Sequence, residues 1–341
     1  MKICLLTRRF ALETGGIGRV SIALRDGLRE LGHEVYTVAT TEEDLVHYFK
    51  YSFFDIRRKI PKGYDIYHAI TPMESIWLPK HKSVATILDI IPITHPEKHG
   101  ARMGGNRIKY TIGRTCFDIG CRQAAKSAKV VCISEHVRGE FEQHYPRSRG
   151  KTSVIRLGIR DDLNPKKKPD NVLRLGYLGQ LDRRKRVDVL IEAFKKSKID
   201  GELVIAGKGF NEREMWARAM GDARIRLLGY IEDGELLEFY SSIDCLVFPT
   251  SIEGYGLPPV EAMACKKPVI VLKDAIIPDE VKSRCIQVDS LEQAFMVLEH
   301  GWFEQWESQI LSNYYFAKEH SWKKCIESYV KLYEGVIGCH S

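Results

Sequence analysis

The chain has 341 residues, of which 44% are hydrophobic and 28% charged, with 52 Lys/Arg against 45 Asp/Glu for a formal net charge of +7. That length suggests two domains, and so much apolar surface excludes a disordered chain. No apolar run is long enough to span a membrane as a helix, and the short apolar stretch before Arg8 and Arg9 is not a signal peptide. The nine cysteines include no CxxC, and Cys116 and Cys121 form a lone C-x4-C. They read as reduced thiols of a cytosolic protein, with no metal site.

In chain order, Lys2–Thr7 reads as a buried strand. Gly16–Leu31 follows as a helix with Val20, Leu24, Leu28 and Leu31 on one stripe, and Gly32 stands where a capping glycine belongs. Val35–Ala39 resumes as a strand, which completes a β-α-β unit. Tyr64–Ile70, Ser83–Ile91 and Lys129–Ser134 are further strands, and Thr152–Gly158 closes the first sheet. Residues 161–171, DDLNPKKKPDN, carry two prolines, six charges and no apolar period, the marks of a linker. A second series then begins. Leu173–Gly179, Glu202–Ala206, Arg226–Ile231, Cys245–Thr250 and Pro268–Lys273 read as strands. Arg186–Ser197, Asp233–Ile243 and Val260–Lys266 read as helices, and the tail from Gln305 is helical. The alternation argues for two doubly wound parallel α/β domains. A ligand cleft is expected between their C-terminal strand edges.

Three features are candidates for chemistry. Gly15-Gly16-Ile17-Gly18-Arg19 follows the first strand and opens a helix, where free N–H groups favour an anion. It is not GxGxxG, and no acidic residue ends the second strand to hold a dinucleotide ribose. A plain tight turn explains it equally well. Arg183-Arg184-Lys185-Arg186 places four cations at a predicted helix start just past Gly179. Cations there oppose the helix dipole, and a bound pyrophosphate would turn that penalty into a gain; the bland alternative is a solvated charge run. The third feature is Glu253-Gly-Tyr-Gly-Leu-Pro-Pro-Val-Glu261. Two carboxylates flank a glycine loop at a strand-to-helix edge, with Pro258 or Pro259 suited to the first helical position and Glu261 in the first turn. Helix capping for Glu261 and a surface loop for Glu253 are the structural alternatives.

Charge is unevenly shared. Residues 1–170 hold 30 Lys/Arg and 19 Asp/Glu, whereas residues 171–341 hold 22 and 26. Cations cluster in Gly100–Lys129, as Arg102, Arg107, Lys109, Arg114, Arg122, Lys126 and Lys129, and in Tyr48–Lys62, as Arg57, Arg58 and Lys59 among aromatics. Such stretches suit an anionic membrane or are simply solvated.

Taken together, GGIGR at 15–19, TILDIIPITHP at 86–96, GQLDRRK at 179–185, LVIAGKG at 203–209 and SIEGYGLPPVEAMA at 251–264 resemble glycosyltransferase family 4. The likeness covers nearly the whole chain, and it is nearest in pattern to mannosyltransferase-like members. It implies a retaining enzyme of the GT-B fold, with two Rossmann-like domains and a cleft between them. Residues 1–162 would bind acceptor, completed by a helix over 322–341. Residues 163–171 would be the linker, and 172–320 the nucleotide-sugar domain.

By that resemblance, Glu253 meets the donor sugar, Lys185 and Arg184 hold the pyrophosphate, and Asp89 joins them as catalytic. Gly254, Tyr255, Gly256 and Leu257 offer backbone N–H groups, and Glu261 binds ribose hydroxyls. Gly16 and Gly18 close over the phosphates, while Gly179, Gly207, Lys208, Leu228 and Gly229 lie on the nucleotide side. His68, His95 and Arg19 fall on the acceptor side. Two departures stand out: Leu88 where many relatives carry histidine, and Gln180 where many carry arginine.

The implied activity moves a mannose- or glucose-type hexose from a GDP or UDP donor to a hydroxyl of a glycan or lipid-linked acceptor. No metal or other cofactor is expected, since no Asp-x-Asp occurs, and no nucleic-acid module is present. The location expected is cytoplasmic, and the basic stretches leave open attachment to the inner face of a membrane. The alternative is a catalytically weak, nucleotide-sugar-binding paralogue.

Overall fold

The computed structural model describes residues 1–8, 10, 16–39, 50–100, 107–209, 211–298 and 306–338. Gly15, Arg102 and the tail beyond residue 338 therefore lie outside the described residues. The chain divides into two compact units. One comprises Met1–Pro96, Gly105–Gly158 and Trp322–Ser341, the other Glu97–Gly104 and Ile159–Ser321.

The first unit is built on six parallel strands. They are β1 (Lys2–Leu6), β2 (Glu34–Val38), β3 (Ile66–Ala69), β4 (Ser83–Ile87), β5 (Lys129–Cys132) and β6 (Thr152–Val154), in the order β2-β1-β3-β4-β5-β6. β3 and β4 are buried at every position, which is why they read as mainly apolar runs without a polar alternation. Two polar side chains inside those runs, His68 and Thr86, face the same partner element. They receive the last helix, Trp322–Gly338. Its Tyr333 and Tyr329, four residues apart on one face, bring hydroxyls to His68 Nδ1 at 2.7 Å and to Thr86 Oγ1 at 2.9 Å. Chain from the far end of the sequence is thereby fastened to the first sheet.

The second unit holds β7 (Leu173–Leu178), β8 (Gly201–Ala206), β9 (Ile225–Gly229), β10 (Cys245–Val247), β11 (Val269–Leu272) and β12 (Ile286–Val288). All are parallel, in the order β12-β11-β10-β7-β8-β9. The order reverses between β7 and β10. In an open parallel sheet, that switch point is where the chain leaves two neighbouring strands in opposite directions and opens a crevice for a ligand.

The expected linker is corrected. The division falls at Gly158/Ile159 rather than within 163–171. Leu163 is fully buried, and Lys318 donates to its carbonyl at 2.8 Å. Lys168 forks onto both oxygens of Asp244 at 2.7 and 2.6 Å. Prolines and charges are present as in a linker, but one apolar anchor and two lysines bind the segment to the second unit.

The described cysteines are free, and among the described residues no helix is long and apolar enough to cross a membrane.

Candidate active site

The loops after β7 and β10 meet at the switch point of the second sheet. After β7 the chain runs through Gly179-Gln180-Leu181 into a 3₁₀ turn, Arg183–Lys185. Asp182 caps that turn by accepting the Lys185 N–H at 3.2 Å. After β10 it runs through Phe248 and Pro249 to Thr250–Glu253. The two loops are sewn together by backbone and side chain. Ser251 donates its N–H and its hydroxyl to the Arg184 carbonyl at 2.9 and 3.0 Å, and the Arg184 guanidinium donates to the Ile252 carbonyl. On its other side the loop pairs with Ile276, whose carbonyl accepts the Glu253 N–H at 2.8 Å. Glu253 is therefore a carboxylate on a fixed backbone, not a surface-loop residue.

Its side chain collects cations. Lys185 Nζ lies 2.5 Å from Glu253 Oε1, and an Arg184 nitrogen lies 3.4 Å from the same oxygen. The Thr250 hydroxyl donates to it at 2.6 Å. The Lys185 ammonium also stands over the Phe248 ring, 5.3 Å from its centroid, a further favourable contact for a cation. Both members of the pair are nearly buried, with side chains 9% and 12% exposed. Burial works against the Glu253 charge, yet the Lys185 and Arg184 charges, with hydrogen bonds from Lys185 and Thr250, hold its carboxyl below the ordinary carboxylate range. Burial pulls the Lys185 ammonium below the usual lysine range, and the Arg184 charge adds to that pull, while Glu253 opposes it. Glu253 thus faces two cations, and the buried Asp182 carboxylate acts on Lys185 as well, so two cations and two carboxylates share a dry setting where electrostatic interactions are strong.

The reading of four cations in a helix start is corrected. Arg183–Lys185 form their own turn, and Arg186 follows with φ of 52° before the helix Val187–Lys196 begins. Arg186 points away from the cluster to a two-toothed pair with Asp274 at 2.7 and 2.8 Å. A left-handed non-glycine residue gives little sequence signal, so the break was not visible.

The nucleotide-side glycines fall on the same edge. Gly179 N–H donates to the Ala206 carbonyl, Leu181 N–H to the Lys208 carbonyl and Gly207 N–H to the Gly229 carbonyl, at 3.1, 3.0 and 2.7 Å. Gly207 has φ of 142°, and a Cβ there would sit 1.8 Å from the Gly179 carbonyl oxygen; only glycine lets these loops approach so closely. Lys208 is exposed with its ammonium 5.7 Å from the Tyr230 ring centroid.

The 253–261 segment needs two corrections. Gly256, with φ of 97°, is the left-handed residue before the helix Leu257–Ala264, so Leu257 rather than a proline opens it. Glu261 is then past the first turn and buried. It accepts a hydrogen bond from the Tyr240 hydroxyl at 2.8 Å. Tyr255 also turns inward, where its hydroxyl meets His320 Nε2.

The remaining candidates belong to the first unit. His68 is corrected from an acceptor-side residue to a structural one. It is fully buried, its Nδ1 meets Tyr333 and its Nε2 meets Thr86 at 2.8 Å, and burial drives its imidazole down to about 3. His95 is half-buried, 2.9 Å from the Thr94 hydroxyl and 3.9 Å from Glu140. Asp89 accepts the Ile91 N–H at 3.2 Å. Gly16, Gly18 and Arg19 lie in the first turn of the helix Gly16–Glu30. Sequence reasoning missed Thr250 and Tyr240. A threonine three residues before a glutamate at a strand end is a weak cue, and nothing near Tyr240 points to Glu261. Among the described residues, no group of three His, Cys, Asp or Glu is placed to hold a metal ion.

Residues 159–286 match the family model described as glycosyl transferases, group 1. The chain is 25% identical to O-antigen chain mannosyltransferase B of Escherichia coli over 300 residues, 79% of this chain and 74% of that protein. It is also 25% identical to an uncharacterized glycosyltransferase of Methanocaldococcus jannaschii over 225 residues, 61% of this chain. The aligned part spans 60% of that relative's length. Among solved structures, Anabaena HepE in complex with UDP and glucose superposes with a TM-score of 0.72 at 17% identity, covering 98% of this chain and 100% of that one.

Proposed function

We propose that this chain, which has the GT-B fold and matches glycosyl transferases, group 1, over residues 159–286, transfers a hexosyl unit from a nucleoside diphosphate sugar. The receiving group is a hydroxyl of a glycan or lipid-linked acceptor. The reading goes further: the anomeric configuration is retained, and no metal takes part. The observation that carries it is the buried Lys185–Glu253–Arg184 cluster at the β7/β10 switch point.

The cluster's charges suit the donor. A pyrophosphate brings negative charge that Lys185 and Arg184 are placed to meet, and Glu253 holds both cations in its absence. When phosphate takes the cations, Glu253 is released to accept a hydrogen bond from a sugar hydroxyl on the same edge. The C1–O bond to phosphate then breaks, and charge grows on the leaving oxygen. Fixed cations in a dry site stabilise that charge more in the transition state than in the ground state. The acceptor oxygen bonds to C1 on the face that the phosphate leaves, and its proton passes to the departing phosphate oxygen. No protein base is needed, which accommodates Leu88. Two cations on the leaving group support the metal-free reading.

Mannose is the first sugar to test, from the likeness to a mannosyltransferase, while the UDP complex of HepE keeps uridine in the trial. The test is incubation with GDP-mannose, UDP-glucose and a panel of glycan and lipid-linked acceptors in chelator, with the product anomer read by NMR. An inverted anomer, or activity abolished by chelator, overturns the retaining, metal-free mechanism.

A further inference from the structure

The cations of the first unit are not scattered. Residues 50–62 and 107–117 together carry eight Lys/Arg and a single acid, Asp55, so these two segments hold a net charge equal to the +7 of the entire chain. They are also neighbours in the fold. Phe53 and Ile60 from the first segment, and Cys116 and Phe117 from the helix Arg107–Ala124, pack on one apolar cluster around Tyr51, Ile56 and Met73. Trp77 ties the region further, since its indole N–H donates to the Phe53 carbonyl at 3.0 Å and its ring lies 5.0 Å under the Arg57 guanidinium.

What this region shows to solvent is not only charge. Phe54 is 71% exposed, Ile108 74% and Ile112 53%. Ile108 and Ile112 are one turn apart on the same face of their helix, and Ile112 is one turn from Cys116, which sits on the shared cluster. Around them Arg57, Arg58, Lys59, Lys62, Lys109 and Arg114 are exposed. A free polyanion accounts for the cations but leaves three large apolar side chains in water. An anionic bilayer accounts for both, because headgroup charge meets the lysines and arginines while the apolar side chains enter the acyl boundary.

We propose that this face of the first unit is a membrane-docking surface. Its partner is an anionic lipid bilayer, engaged by the exposed Phe54, Ile108 and Ile112 as apolar anchors within the ring of cations. The surface is separate from the Lys185–Glu253 cluster, and its test does not depend on turnover.

The experiment is co-sedimentation of the full chain with vesicles of phosphatidylcholine alone and of phosphatidylcholine with phosphatidylglycerol. Wild type partitions onto the anionic vesicles at least tenfold better than onto the neutral ones, and added salt weakens that preference. The triple variant Arg57→Gln, Arg58→Gln, Lys59→Gln loses at least tenfold of the anionic binding. The triple variant Phe54→Ser, Ile108→Ser, Ile112→Ser loses a similar amount while keeping its affinity for heparin, a soluble polyanion, and its thermal midpoint, because those side chains already face water. Absence of wild-type binding to anionic vesicles overturns the proposal. So does undiminished vesicle binding by the apolar variant, which would make the face a general polyanion site instead.

Discussion

Two buried polar networks, one in each unit, look alike on a list of hydrogen bonds and differ in what they can do. In the first, His68, Thr86, Tyr329 and Tyr333 join a strand pair to the last helix. Every member is neutral, and both ring nitrogens of His68 are engaged. Burial has pushed the imidazole so far down that it carries no charge at neutral pH. In the second, Glu253 meets Lys185, Arg184 and Thr250, and the Asp182 carboxylate also acts on Lys185. An ammonium has three donors, and Glu253 takes one from Lys185. A saturated neutral network fixes structure. A charged network can exchange one partner for another, and at the switch point of a parallel sheet such a network is a candidate ligand site.

The sharpest way to break that contrast is to remove charge from the second network. Lys185→Ala and Glu253→Ala are each expected to lower transferase turnover by about 10²-fold or more, the usual cost of deleting a transition-state contact. Circular dichroism should be unchanged. Near wild-type rates in both variants would refute the assigned site.

Removing His68 should act on stability instead. His68→Ala takes the buried Tyr333 hydroxyl's partner away, removes one of the two partners of Thr86 and opens a cavity, for a loss of about 2–4 kcal/mol in denaturant titrations. The pH dependence sharpens the point. Because the folded imidazole titrates near 3 against an ordinary value of 6.5, the unfolded chain binds more protons between those limits. The stability that the neutral ring supports is whole above about pH 6.5 and is lost as the pH falls toward 3, by at most about 1.4 kcal/mol per unit. His68→Asn should flatten that acid limb by about one proton. An identical slope in both proteins would contradict a buried neutral histidine.

Two smaller effects separate the Gly179/Gly207 edge from the core. Gly207→Ala drives a Cβ against the Gly179 carbonyl in a conformation L-residues avoid. It should cost about 1–3 kcal/mol and weaken nucleotide binding with it; a wild-type affinity would mean that the loops after β7 and β8 do not shape the site. Tyr240→Phe deletes one hydrogen bond to Glu261, worth about 1 kcal/mol in thermal unfolding. A change in nucleotide affinity without a change in stability would give Glu261 a ligand role that outweighs its structural one.

Much of the architecture was legible because parallel strands buried on both faces leave continuous apolar runs, as in IYHA and VIVL, broken by glycines where the chain must turn. The cluster was legible for a related reason. Carboxylates and cations beside glycines at strand ends are hard to explain as packing. What escaped depends on dihedral angles and on distant partners. Arg186 breaks the helix start with a left-handed conformation that arginine does not advertise. Lys168 turns a proline-rich stretch into a fastened one by reaching Asp244, 76 residues away. His68 looked like chemistry because a histidine ending a strand is unusual. Its hydrogen-bond partners are Thr86 on the neighbouring strand and Tyr333 in the last helix, and no local pattern connects them.

The central claim is that the β7/β10 edge binds a nucleoside diphosphate through Lys185. Isothermal titration of GDP and of UDP into wild type and Lys185→Ala, in buffer with chelator, tests it most directly. The account predicts that wild type binds one of the two nucleotides at a single site and that the variant binds it at least tenfold more weakly. Equal affinity in the two proteins, or no binding of either nucleotide by wild type, would contradict it.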